Sequence, residues 1–370
     1  MNPHIIQVIT ELEPAGAERV LADLSVNLLE RNCSVSVISL QSEPKVKTIL
    51  NILKSHNIEV FFLNVTKTTP WRIFKLSALI EKIRRDNKEA KLIVHSHLMH
   101  ANLACRLAKI YTCKFPLVNT IHITERRYRQ IPMFLLDKLT LSKCNAYTAV
   151  SEASANWHAH KLNINNAYIK VIYNGIRKLY KITDKTAILL KREWGMSACN
   201  KIIGSIGRLD WQKGYDFLFK ILPELSAKIP ENEIWGVVIL GEGRQRNELE
   251  SLAKKVPDNI KILMPGYRED AAECIGAFDL FVMPSRYEGF GLALLEAMHF
   301  GLPVLVNEIE TLIYFLRSYP NGKQIDFSNS NISVQSILEY IGKEHLSNYC
   351  NEFTIEKMVD EYIKTYNSII

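Results

Sequence analysis

The densest chemical signal in the chain is Pro284-Ser285-Arg286-Tyr287-Glu288-Gly289-Phe290-Gly291-Leu292, followed by Glu296-Ala297. It comes directly after Leu280–Pro284, an apolar run that reads as a buried strand. In an open parallel sheet, ligands bind at the carboxyl ends of strands. Gly289 and Gly291 would let the backbone turn and approach a ligand closely. A helix opening near Leu292 would present free N–H groups and the positive end of its dipole, which suits a diphosphate. Glu288 in the loop and Glu296 in the helix each offer a carboxylate that accepts paired hydrogen bonds, as vicinal sugar hydroxyls require. The plain alternative is a glycine turn beside two solvated glutamates. Both glutamates at this spacing argue against it.

Weaker signals repeat the pattern. Gly207-Arg208-Leu209 and Lys213-Gly214 follow the strand-like run Ile202–Gly207, so a guanidinium fork and an ammonium point charge could clamp a diphosphate there. Gly241-Glu242-Gly243 follows another such run, but the third glycine of a dinucleotide fingerprint is missing. Near the N-terminus, Pro14-Ala15-Gly16-Ala17-Glu18 opens a helix after the first strand, where Gly16 would let a phosphate or sugar reach the backbone. His95, His97, His100 and His122 fall near strand ends. Most read as packing or hydrogen-bonding residues, and His122, just past Leu117–Thr120, is the functional candidate. No carboxylate cluster accompanies them and no Asp-x-Asp occurs, so no metal and no cofactor is expected.

These residues need a frame to hold them. β-branched runs at Ile5–Ile9, Val35–Leu40, Val60–Leu63, Leu92–Ser96, Leu117–Thr120 and Ala146–Val150 alternate with helical patterns such as Ala17–Leu29 and Phe74–Arg85. A second series runs through Ile202–Gly207, Gly236–Gly241, Ile260–Leu263, Leu280–Pro284 and Pro303–Asn307. Alternation of this kind means parallel sheets covered on both faces, here two Rossmann-like α/β domains. The expected domains are 1–175 and 176–352, joined through Asn174-Gly175-Ile176-Arg177 and the polar residues up to Lys185. Ile355, Met358, Val359, Tyr362, Ile363 and Tyr366 have the spacing of an amphipathic helix, and the segment 353–370 could pack back on the first domain.

Composition fits a globular protein: 47% hydrophobic and 23% charged residues over 370. No apolar run is long enough to span a bilayer, and Met1–Ile6 lacks the pattern of a signal peptide, so the expected compartment is the cytoplasm. The 7 cysteines are scattered without a Cys-x-x-Cys pair and read as reduced thiols. Residues 1–180 carry 25 Lys and Arg against 13 Asp and Glu, a net of +12, whereas 181–370 carry 21 against 26, a net of −5. The basic half, with Glu125-Arg126-Arg127-Tyr128-Arg129 running into Met133-Phe134-Leu135-Leu136, suits an anionic membrane surface on the inner face of the cytoplasmic membrane. Nucleic acid is not expected, since no helix-turn-helix or stacking motif is evident.

Taken together, the motifs resemble glycosyltransferase family 4, of the GT-B fold, in which two Rossmann-like domains face each other across a cleft. The matching segments are Ala15-Gly16-Ala17-Glu18, His122, Val150-Ser151, Asn174-Gly175-Ile176, Gly207-Arg208 with Lys213-Gly214, Gly241-Glu242-Gly243, Ala277 with Asp279, and Glu288-x7-Glu296. The resemblance implies a retaining, metal-independent transfer from a nucleotide diphosphate sugar. A UDP-sugar carrying a hexose or N-acetylhexosamine is the favoured donor, and a glycan or lipid-linked glycan of a surface polysaccharide the acceptor. Arg208 and Lys213 would hold the diphosphate, Glu296 the ribose, and Glu288 with the Gly289–Phe290–Gly291 amides the transferred sugar. Gly16 would approach the donor, and His122 would line the sugar and acceptor side. One departure stands out: after Val306 the family has a glycine-rich loop and a Glu, where this chain reads Asn307-Glu308-Ile309-Glu310-Thr311. Two other readings compete, a GT-B-fold UDP-sugar epimerase and an inactive, transferase-like sugar-binding subunit. The intact Glu288, Glu296 and Lys213 favour transfer.

Overall fold

The protein is described here by a computed structural model covering residues 3–66, 69–111, 115–122, 131–180, 182–346 and 352–370. It divides into two compact units, Met1–Arg177 with Phe353–Ile370, and Lys178–Glu352.

The first unit holds β1 (His4–Ile9), β2 (Ser34–Ser39), β3 (Glu59–Phe62), β4 (Leu92–His97), β5 (Leu117–Ile121), β6 (Ala146–Ala149) and β7 (Ile169–Val171). They form one parallel sheet in the order β3-β2-β1-β4-β5-β6-β7. The second unit holds β8 (Lys201–Ile206), β9 (Trp235–Leu240), β10 (Ile260–Gly266), β11 (Leu280–Met283), β12 (Val304–Asn307) and β13 (Gly322–Ile325), ordered β10-β9-β8-β11-β12-β13 and again parallel. The strand order reverses between β1 and β4 and between β8 and β11. At such switch points the loops leaving neighbouring strands part in opposite directions and open a crevice at the strand ends.

The central strands are buried on both faces, which is why they read as nearly continuous apolar runs. In the second unit Leu218, Phe219 and Leu222 from the Tyr215–Ser226 helix join Val237, Ile239 and Val282 in one core cluster. The first unit departs from this rule. Gln7, His95, His97, Thr120 and Thr148 are buried inside its sheet. Side chains alternate faces along a strand, and the registers Ile9↔His97, His97↔Thr120 and Thr120↔Thr148 put this set on one face. The Ile355–Asn367 helix covers that face, with Tyr362 and Tyr366 buried against His95.

The passages between the units touch within the first unit. Ile176 donates its N–H to Phe353 O at 3.0 Å, and a Cβ on Gly175 would lie 2.3 Å from Ile355 N. Only glycine permits that backbone approach. The linker is shorter than its polar composition suggests, because Asp184–Glu193 is already helical, capped by Thr183 Oγ1 accepting from Thr186 N at 3.2 Å. The edge strands β7 and β13 were not anticipated at all.

Candidate active site

The loops leaving β8 and β11 lie side by side and are pinned backbone to backbone. Gly214 adopts φ +67°, and a Cβ there would sit 2.1 Å from Pro284 O. Arg286 N donates to Gln212 O at 2.7 Å, and Gln212 Nε2 to Tyr287 O at 3.1 Å. The Arg286 guanidinium holds Asp216 through two bonds of 2.7 and 2.8 Å, donates to Trp211 O at 2.7 Å, and lies over the Trp211 and Phe217 rings. A planar fork that is both paired and stacked fixes orientation as a lysine could not. The loop after β9 joins the same packing, since a Cβ on Gly243 would meet Leu209 O at 2.2 Å.

This clamp sets two functional candidates together. Lys213 Nζ donates to Glu288 Oε1 at 2.6 Å, and Ser285 Oγ donates to the same oxygen at 2.7 Å. Both ionic side chains are largely buried, at 17% and 7% exposure for Lys213 and Glu288, so their attraction is weakly screened. The Glu288 backbone is anchored too: Thr311 Oγ1 donates to Glu288 O at 3.1 Å, and Asn307 Nδ2 donates to Ser285 O at 3.0 Å. Asn307, at the end of β12, and Thr311, just beyond it, thus tether the β11 loop in the stretch where this chain departs from a glycine-rich loop.

Arg208 is exposed, and no bond engages its guanidinium among the described residues. Gly291, at φ +97°, starts the Leu292–His299 helix without a side-chain cap, leaving its first N–H groups for a ligand. Gly289 does not take a positive φ, so only Gly291 needs glycine's freedom there. The Phe290 ring is buried edge-on against Phe315 at 4.9 Å and serves packing. Glu296 is half-buried on the helix.

In the first unit, Gly16 is exposed at the first position of the Gly16–Glu30 helix, again without a side-chain cap. His122 is not isolated. Its Nε2 lies 2.8 Å from His97 Nδ1, and His97 Nε2 lies 2.7 Å from Gln7 Oε1. His95 bonds Tyr366 and Thr120, each at 2.7 Å. Burial pushes the His122 ring down to about 3 and, together with mutual repulsion, holds His95 and His97 well below the ordinary histidine range. All three are neutral near pH 7. His100 is exposed and stands apart. Among the described residues no three His, Cys, Asp or Glu side chains gather into a metal-holding group. Cys33, Cys105, Cys144, Cys199 and Cys274 are free thiols.

Comparison with known proteins identifies the family and the fold. A model described as Glycosyltransferase Family 4 matches residues 14–178, and one described as Glycosyl transferases group 1 matches residues 189–357. Between them they span most of the chain, which belongs to the family 4 glycosyltransferases and is an enzyme of the transferase class. The N-acetyl-alpha-D-glucosaminyl L-malate synthase of Bacillus anthracis is 24% identical, over 96% of this chain and 94% of that one. The O-antigen biosynthesis glycosyltransferase WclY of Escherichia coli is 26% identical, over 87% and 94%. The fold is GT-B: the crystal structure of Anabaena HepE in complex with UDP and glucose superposes with a TM-score of 0.79 at 20% identity, covering 98% of this chain and 99% of that one. Transferase relatives over nearly the full length remove the inactive-subunit reading.

Proposed function

We propose that this glycosyltransferase moves a hexose or N-acetylhexosamine from a UDP-sugar to a lipid-linked or growing surface-glycan acceptor, with retention of configuration and without a metal. The observation that carries the reading is the Lys213–Glu288 pair at the β8/β11 switch point. An ammonium has three donors. Glu288 takes one, and the others suit phosphate oxygens. Both bonds to Glu288 fall on Oε1, which leaves Oε2 to accept from a sugar hydroxyl. Exposed Arg208 and the N-terminus of the Leu292–His299 helix add positive potential. Negative charge develops on the diphosphate as the sugar departs, and fixed cations and N–H groups stabilise it there without reorganising. Likeness to HepE, solved with UDP and glucose, supports a uridine donor, and likeness to the O-antigen enzyme supports a surface glycan. A donor panel of UDP-, GDP-, ADP- and CMP-sugars, each with magnesium or excess EDTA, tests this. UDP-sugars should turn over best, within a few-fold in either condition. Preference for CMP-sugars, or activity lost on chelation and restored by manganese, would overturn it.

We infer further that the first unit docks on anionic membrane to reach a lipid-linked acceptor. Among the described residues no helix is long and apolar enough to cross a bilayer. Arg126, Arg127 and Arg129 lie outside the described residues. On the Ile131–Thr140 helix that follows, Leu135 and Leu139 share one face at 57% and 68% exposure, with Lys138 between them in sequence. Basic residues near an anionic surface contribute about 1 kcal/mol each, and inserted leucines add to that. Co-sedimentation should occur with anionic vesicles, decline at high salt, and weaken in Arg126/Arg127/Arg129 triple-glutamate and Leu135→Ser/Leu139→Ser variants. Equal binding to neutral vesicles, or none to either, removes the membrane from the account.

A further inference from the structure

The buried polar groups beneath the first unit's strand ends form an ordered chain. His97 Nε2 faces Gln7 Oε1 at 2.7 Å, and an amide oxygen can only accept. His97 therefore carries its proton on Nε2 and presents a lone pair at Nδ1. His122 Nε2, 2.8 Å from that lone pair, must be the donor. Neutral imidazole has one N–H, so His122 Nδ1 is left as an acceptor. Gln7 turns its oxygen, not its Nε2, toward His97, and that Nε2 has no hydrogen-bond partner among the described residues. His97 itself has little freedom. It is fully buried, ends β4, and precedes Leu98, which is held at φ +69°, a conformation that leucine adopts only at a cost.

We propose that Gln7 and His97 are positioning residues that lock His122 in the Nε2–H tautomer, so that it meets its ligand as a hydrogen-bond acceptor from a sugar hydroxyl. The proposal rests on the reading of His122 as a residue lining the sugar. It means that the enzyme selects a hydroxyl, a donor, at that point of its substrate, and rejects a group that can only accept. Burial keeps the ring neutral, so the acceptor persists across the working pH range.

The test uses the full chain labelled with 15N-histidine. In the ligand-free enzyme the His97 and His122 rings should each show a pyrrole-type Nε2 and a pyridine-type Nδ1. His97→Asn keeps an acceptor oxygen near the Nδ1 position, and should retain the His122 tautomer and kcat within a few-fold. His97→Leu and Gln7→Leu should release it to a mixture, and lower kcat about tenfold with little change in the donor KM. A purely structural role predicts instead that kcat follows melting temperature across all three. Finding Nδ1–H on His122 in the wild-type protein, or an unchanged tautomer in both leucine variants, overturns the proposal. A separate outcome, full activity in His122→Ala with the expected tautomer in the wild type, sinks the sugar-lining reading and leaves the locked ring as a structural fact.

Discussion

Lys213→Ala is expected to lower turnover by about 10²-fold or more, and Glu288→Ala by a similar factor, in line with losing a preorganised charge partner of a transition state. The two side chains meet at 2.6 Å in a largely buried setting, so each substitution does more than delete one group. Without Lys213, Glu288 becomes a buried carboxylate whose remaining partner among the described residues is Ser285 Oγ, at 2.7 Å. Glu288→Gln should fall between wild type and Glu288→Ala, since it keeps an oxygen acceptor and loses the charge. Glu296→Ala should act chiefly on donor KM, because ribose contacts are alike in ground and transition states. Steady-state kcat and KM for the donor, with thermal unfolding as a control on folding, check all four variants. Wild-type kcat in a folded Lys213→Ala enzyme would end the assignment of Lys213 to the leaving phosphate.

Much of this frame was legible before the structure, for identifiable reasons. Strands such as Ile202–Gly207 and Leu280–Pro284 declare themselves because parallel strands buried on both faces are apolar without interruption. Observed ends differ only slightly from the expected ones, as at Lys201–Ile206 and Leu280–Met283. The missed strands, Ile169–Val171 and Gly322–Ile325, are short edge strands carrying Lys170, Lys323 and Gln324, too brief and too polar to show a period. In the site, Glu288, Gly291 and Lys213 stood out through local spacing. Their pairing across 75 residues of sequence did not, because it is created by the switch-point topology. Arg286 was given no role, and nothing local announces its bidentate bond to Asp216, 70 residues earlier in the Tyr215–Ser226 helix. His122 was chosen for its place after a strand, whereas His97 read as a packing or hydrogen-bonding residue and Gln7 did not stand out. The overlooked signal was polarity at alternate positions inside runs that are otherwise apolar, Gln7 in β1 and His95 with His97 in β4. In a strand that is covered on both sides, such a residue needs a partner of its own.

Asp137→Ala should destabilise the first unit by about 3–5 kcal/mol, the scale for leaving a buried charge without its counterion. Arg106 is fully buried; its Nη1 donates to Asp137 Oδ1 at 2.5 Å and to Asp137 O at 3.0 Å, its Nε to Asn119 Oδ1, and its Nη2 has no hydrogen-bond partner among the described residues. Removing its carboxylate leaves only neutral oxygens, the residue-137 carbonyl, Asn119 Oδ1 and Thr140 Oγ1, to compensate for its lost hydration. For a unit of this size the loss corresponds to a fall in melting temperature of roughly 6–20 °C. Replacing both partners by apolar residues, Arg106→Met with Asp137→Leu, should recover most of it, because the desolvation cost of both ions disappears together. The double variant should nonetheless not restore full turnover. Arg106 fixes Asn119 in β5, and Asn119 Nδ2 in turn donates to Ser96 Oγ in β4, so the pair helps to register the two strands whose ends carry His97 and His122. Unfolding followed by circular dichroism, alongside kcat for the single and double variants, separates these effects. A single variant within about 1 kcal/mol of wild type would show that water or a local shift satisfies Arg106. A double variant with full stability and full turnover would show that the ion pair has no part in setting the strand ends.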